Sequence, residues 1–181
     1  MRKIISLFKR DYEGTRLVYD EVVPGAQWVL RGEGQATRKW DGTCCMVRDG
    51  VLFKRYTVKK ERTPPASFKA ATEPDPNTGK QEGWVVVSAD DPGDKWHLDA
   101  WQKEMFPNGT YELVGPKVQG GVEGVDSHRL LLHGATAVPD MYRGFEEIKA
   151  YLDGGGIEGI VWHHPDGRMV KIKARDFGVK R

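Results

Sequence analysis

Long apolar runs are missing. No stretch approaches the roughly 20 residues a membrane-spanning helix needs, so the sequence offers no candidate span. The start, "MRKIISLFKRDYEG", is basic, but Lys9, Arg10 and Asp11 interrupt its apolar part. It is too short and too charged for a secretory leader. These absences predict an intracellular, cytoplasmic protein with no membrane partner. Cysteine is nearly absent too: the two present, Cys44 and Cys45, are adjacent. Neighbours on a strand face opposite ways, so the pair is poorly placed to bridge or to share a metal ion. No Cys/His spacing matches a zinc site. A strong excess of one charge is also lacking. A net charge of +2 rules out a polybasic nucleic-acid coat, while leaving room for a local basic groove.

What is there is the material of one soluble domain. The 181 residues are 39% hydrophobic and 30% charged, enough for a real core. The sequence predicts a single domain over residues 1–181, with no internal repeat. Short strand-like runs are separated by turn signals: "TCCMV", "VLFKRY", "GWVVVSA", "TYELVG", "RLLLHGA", "IEGIVWHH" and "RMVKIKA". Two helices are expected. One lies in "KWHLDAWQKEMF", with Leu98, Trp101, Met105 and Phe106 on its apolar face; the other is "FEEIKAYLDGGG", built on Ile148 and Leu152 with a glycine stop. The pattern is α+β and mostly antiparallel. Residues 62–83, rich in Pro, Thr, Asn and Gly, read as a long loop.

The final hairpin can be phased. With Asp166-Gly167 as a two-residue loop, Pro165 opposes Arg168. One face then carries Ile157, Gly159, Val161 and His163 with Val170, Ile172 and Ala174. The other carries Glu158, Ile160, Trp162 and His164 with Met169, Lys171, Lys173 and Arg175. A carboxylate and two lysines share the non-core face, and Trp162 is the best candidate there for stacking on a base. In the hairpin turning at Asp49-Gly50, Arg55 shares a face with Phe53 and Met46. Glu112 sits in a strand between Tyr111 and Leu113.

Lys39, Arg55, Glu112, Glu158, Lys171 and Lys173 form a set with a chemistry. An amine attacks only when neutral, and a free lysine has a pKa near 10.4. Cationic neighbours and desolvation lower that value, so Lys39 near Lys171, Lys173 and a metal would be activated. Arg55, Lys171 and Lys173 could neutralise a triphosphate. Glu158 could hold a divalent metal, and Glu112 could accept from a ribose hydroxyl. The set fits covalent nucleotidyl transfer to lysine.

At these residues the sequence resembles the covalent nucleotidyltransferase superfamily of DNA ligases, RNA ligases and capping enzymes. The lysine motif is Lys39-Trp40-Asp41-Gly42, followed in family order by the strand ending at Arg55, "YELVG" with Glu112, "EGIVW" with Glu158 and "VKIKA" with Lys171 and Lys173. A lone K-x-D-G arises by chance in about 4% of chains this long; five motifs in order are far more specific. "TRKWDGTCC", "DKWHLDAW", "YELVGPKVQG" and "LLLHGA" look most like the small single-domain ATP-dependent 5′-to-3′ RNA ligases.

The resemblance implies an ATP-grasp-like adenylation domain of antiparallel sheets with flanking helices and no OB-fold domain. It implies a monomer that uses ATP and Mg2+ or Mn2+ to seal RNA 5′-phosphate and 3′-hydroxyl ends, pre-aligned by base pairing. Lys39 would carry AMP. Lys171 and Lys173 would be catalytic and nucleotide-binding, Arg55 and Glu112 nucleotide-binding, and Glu158 the metal ligand. Related ligases often have an acidic residue before the motif lysine; here it is Arg38, counted among the nucleotide-binding candidates. The alternatives are a DNA nick ligase, a nucleotidyltransferase with another acceptor, or an RNA-binding module that retains the fold without turnover.

Overall fold

The computed structural model describes residues 4–102, 105–139 and 143–181. In chain order the elements are β1 (Ile5–Ser6), β2 (Phe8–Arg10), β3 (Val18–Val22), α1 (Gln27–Leu30), β4 (Gln35–Lys39), β5 (Thr43–Arg48), β6 (Val51–Val58), β7 (Lys69–Ala70) and β8 (Gln81–Val86). They continue with α2 (Lys95–Trp101), β9 (Gly109–Val114), β10 (Arg129–Leu132), α3 (Phe145–Gly155), β11 (Gly159–His163) and β12 (Met169–Lys173). The fold is α+β with largely antiparallel sheets. It divides into two compact units, one of residues 41–133 and one of residues 4–40 with 134–181.

The second unit holds a four-stranded sheet ordered β1-β12-β11-β4, plus the β2–β3 pair. Alternation along "MVKIK" buries Val170 and Ile172 and leaves the lysines on the opposite face. The core adds Leu7, Phe8, Trp28 and, from α3, Ile148 and Leu152. That helix ends as its glycines predict, at Gly156 in the left-handed region (φ 60°). Neither edge strand is among the predicted runs: β4 pairs antiparallel with β11, and β1 runs parallel to β12, Ile5 opposite Val170.

The final hairpin corrects its predicted register. Gly159 pairs with Lys173 and His163 with Met169, one residue away from a two-residue loop. Closing such a loop at Pro165 and Arg168 needs an amide hydrogen from each, and proline has none. The closing pair moves outward, so the His164 amide donates to the Arg168 carbonyl at 2.9 Å. Gly167 takes φ 88° in a three-residue loop. A one-residue slip inverts the faces of β11. Trp162 and Ile160 are therefore fully buried, and Trp162 is no stacking surface. Gly159, Val161 and His163 share the lysine face instead.

In the first unit the six-stranded sheet runs β10-β9-β5-β6-β8-β7. The Asp49-Gly50 turn has positive φ at both residues (53° and 74°), as a two-residue hairpin loop requires, and Met46 faces Phe53 as predicted. One sheet face packs Cys45, Val47, Leu52, Tyr111 and Leu113 under α2. That helix is shorter than predicted and buries His97 and Ala100. Trp101 and Phe106 stack at 5.4 Å, but Met105 is 97% exposed; Lys103 and Glu104 lie outside the described residues. The expected 62–83 loop is partly sheet, because β7 pairs with β8.

The inverted phase of β11 is testable by urea unfolding. Trp162→Ala is expected to lower stability by about 3–5 kcal/mol and Ile172→Ala by about 2–5 kcal/mol. Val161→Ala, on the lysine face, is expected to cost less than either. A Trp162→Ala protein of unchanged midpoint would contradict the assignment.

Candidate active site

Lys39 closes β4 and lies opposite Gly159 of β11, which lies opposite Lys173 of β12. The two lysines thus stand at the ends of one cross-sheet row whose middle position has no side chain. Gly159 is required there: a Cβ would lie 2.1 Å from the Ile172 carbonyl oxygen. Glu158, one residue earlier, is nearly buried. Its Oε2 accepts from Lys39 Nζ at 2.5 Å and its Oε1 from Lys173 Nζ at 2.6 Å. Lys171 stands in the next row of the same face, opposite Val161.

Three ammonium groups therefore crowd one carboxylate. Burial alone would push the Glu158 carboxyl up, but Lys39 and Lys173 outweigh it and hold the carboxyl below its usual range. Lys171 is pushed below the usual lysine range, first by burial, then by Lys173 and Lys39. Among the described residues it has no salt-bridge partner. Lys171 and Lys173 border a cleft of about 760 Å³, with Lys9, Arg10, Arg175, Asp176, Tyr12 and Tyr19 on its walls. Arg10 is held by Asp176, whereas Tyr12 is 71% exposed and Tyr19 43%.

The other sequence candidates are placed as follows. Arg38 alternates to the opposite face of β4 from Lys39, and its guanidinium stacks over the Trp40 ring at 3.8 Å. In the first unit, Arg55 lies opposite Trp84 and pairs with Glu82 at 3.0 Å. Glu112 is nearly buried opposite Cys44, and His133 Nε2 lies 2.8 Å from its Oε2. Gly42 of the lysine motif passes so close to β9 that a Cβ would meet the Leu113 carbonyl oxygen at 2.1 Å. Sequence reasoning missed the neighbourhood of Cys44 with Glu112, because only strand pairing brings them together. His163, expected to face the core, instead bonds Thr37 Oγ1 at 3.0 Å.

The shifted carboxyl and lysine set opposite pH dependences. Glu158 contributes stability above its unfolded pKa, and that contribution is lost as pH falls through the lower folded value. Glu158→Gln is therefore expected to cost on the order of 2 kcal/mol at pH 7, between exposed and fully buried pairs, and the cost should fade below about pH 4. Lys171 does the reverse: its charge destabilises the fold at neutral pH, and the penalty is relieved as pH rises through its folded pKa. Lys171→Met is expected to raise the urea midpoint at pH 7 and to lose that advantage near pH 10.4. A lower midpoint for Lys171→Met at pH 7 would contradict the crowding described.

No model of a known protein family matches the chain. It is similar to proteins called RNA ligase 1: 33% identical over 79 residues to that of Pongo abelii, covering 39% of this chain and 24% of the relative. To that of Danio rerio it is 35% identical over 81 residues, 39% of this chain and 25% of the relative. A longer match, to that of Rattus norvegicus, is 25% identical over 219 aligned positions, 80% of this chain and 67% of the relative. The chain thus matches about a quarter of the length of the first two relatives, and these modest likenesses support an RNA ligase family for it.

Proposed function

We propose that this chain is an ATP-dependent RNA ligase that works through a lysyl-AMP intermediate on Lys39. The observation that carries the reading is the half-buried group of three lysines around Glu158, whose carboxylate pairs with Lys39 and Lys173 and leaves Lys171 without a salt bridge among the described residues. Such a group lacks negative charge, and a triphosphate supplies it where bond breaking needs it. The similarity to proteins called RNA ligase 1 supports RNA as the acceptor.

In the first step the neutral amine of Lys39 attacks the α-phosphorus of ATP. A P–N bond forms, the bond to the β-phosphate oxygen breaks, pyrophosphate leaves and the amine proton goes to solvent. Glu158 is a poor proton acceptor, because the lysines hold its carboxyl acidic; its role is to aim the Nζ. Next an oxygen of the RNA 5′-phosphate attacks the same phosphorus and the P–N bond breaks. Finally the 3′-hydroxyl attacks the activated 5′-phosphorus and AMP leaves. Lys171 and Lys173 balance the charge that develops on phosphate oxygens.

Glu158 offers the hard oxygens that Mg2+ or Mn2+ prefer, but both are engaged by lysines here. They would suit the ion once the Lys39 nitrogen has lost its positive charge in the phosphoramidate. When bound, the ion neutralises phosphate charge. Glu112 provides an acceptor suited to a ribose hydroxyl, and Arg55 a cation for phosphate. The cleft beside Lys171 and Lys173, with its basic residues and two exposed tyrosines, suits an RNA strand leading to its 5′ end.

Incubation with α-labelled ATP and Mg2+, followed by a denaturing gel, tests the reading. Wild-type protein is expected to carry label, and Lys39→Ala and Lys39→Arg none, since a guanidinium stays protonated. Lys173→Ala is expected to slow labelling by about 10²–10³-fold. Absence of label on the wild type would favour a binding module. Tyr12→Ala with Arg175→Ala is expected to slow the sealing of nicked RNA while leaving labelling intact; equal slowing of both would remove the cleft from the RNA path.

A further inference from the structure

The first unit holds a second cluster of reactive side chains, on the face of its sheet opposite the α2-covered core. Cys44 of β5 lies opposite Glu112 of β9. His133, one residue past β10, takes the next place on that face, its amide donating to the Thr110 carbonyl at 3.0 Å. One ligand atom from each of the three, a sulfur, a carboxylate oxygen and an imidazole nitrogen, lies within 4.8 Å of the other two. Tetrahedral zinc, with bonds of about 2.0–2.3 Å, draws its donors closer than that by small side-chain rotations.

We propose that Cys44, Glu112 and His133 form a binding site for a thiophilic divalent cation of the zinc class. The donor set is chemically selective: a thiolate and an imidazole favour zinc over magnesium or calcium. Three protein donors leave a position open, as at reactive rather than structural zinc centres. Two paired strand positions and the residue just past a third strand carry the donors, so the sheet fixes their spacing. The imidazole is already oriented, because its Nδ1 is bonded to Thr110 Oγ1 at 3.0 Å while its Nε2 faces Glu112. Such a partner on the far nitrogen is the usual support of a metal-bound histidine. On binding, the Cys44 thiol loses its proton to solvent and a sulfur–metal bond forms. Cys45 is an internal control. It points to the other face, is fully buried in the core, and cannot join the site.

The consequence rests on the functional reading above. If Glu112 serves the ribose, a cation held by its carboxylate excludes the nucleotide, and zinc restrains adenylation through residues that do not perform it.

The site itself is tested without any activity. The full chain is titrated with Co2+, whose thiolate complexes absorb in the near ultraviolet. Wild type and Cys45→Ser are expected to show the sulfur-to-cobalt band, displaced by Zn2+; Cys44→Ser loses it. His133→Ala is expected to weaken Co2+ binding at least about tenfold. No band in the wild type, or a band that survives in Cys44→Ser, overturns the site. In a second arm, Zn2+ added with excess Mg2+ is expected to slow AMP labelling of the wild type and to spare Cys44→Ser. Equal slowing of both overturns the exclusion of nucleotide, while the cobalt band decides the site by itself.

Discussion

The carboxylate of Glu158 is the interaction on which the lysine site depends. Two like charges about 4 Å apart at an effective dielectric constant near 20 repel by roughly 4 kcal/mol, a large share of the 5–15 kcal/mol that keeps a domain folded. Three strand-borne ammonium groups on one sheet face face that difficulty. Glu158 reduces it by accepting from Lys39 and Lys173 together, and the bare Gly159 stands between them in the row. The remaining strain falls on Lys171, which has burial and two cations against it. A site crowded with like charge is prepared for an anion, which is what the proposed function requires of it.

The same residues divide their labour by geometry. A carboxylate that is held acidic cannot serve as a strong base, so the role proposed for Glu158 is one of position. Lys39 and Lys173 lose mobility to it, while Lys171 keeps an unengaged charge beside a basic cleft. In the other unit Glu112 is engaged differently, by a histidine and opposite a cysteine. Two buried glutamates, one in each unit, thus have different chemistry: one counters lysines, and the other sits in a mixed sulfur, nitrogen and oxygen environment.

How far the sequence could be read depended on whether the information was local. The alternation of "VKIKA" gave the correct faces for β12, because Val170 and Ile172 have only one way to be buried. The Asp49-Gly50 hairpin was legible for the same reason. The faces of β11 were misread through one proline, whose missing amide hydrogen moves the closing pair. Residue spacing alone could not show that Trp162 belongs in the core. Helix α2 was overextended because apolar spacing continues past the point where the helix stops at Trp101. The pairing of Lys39 with Glu158 was only implied, since it depends on β4 and β11 being neighbours. The grouping of Cys44, Glu112 and His133 left no trace in spacing at all, because two strands and the turn after a third supply it.

Which lysine the proposed reaction loads with AMP is the most direct test, because charge and geometry favour different residues. Lys171 is the lysine pushed toward neutrality, whereas Lys39 is the one aimed by Glu158 and placed in the motif. Protein incubated with ATP and Mg2+, digested with trypsin at neutral pH to preserve the phosphoramidate, resolves them by mass. Modification blocks cleavage after Lys39, so the account predicts the AMP mass on the peptide from Lys39 to Arg48, and there alone. The same mass on a peptide containing Lys171 would contradict the account.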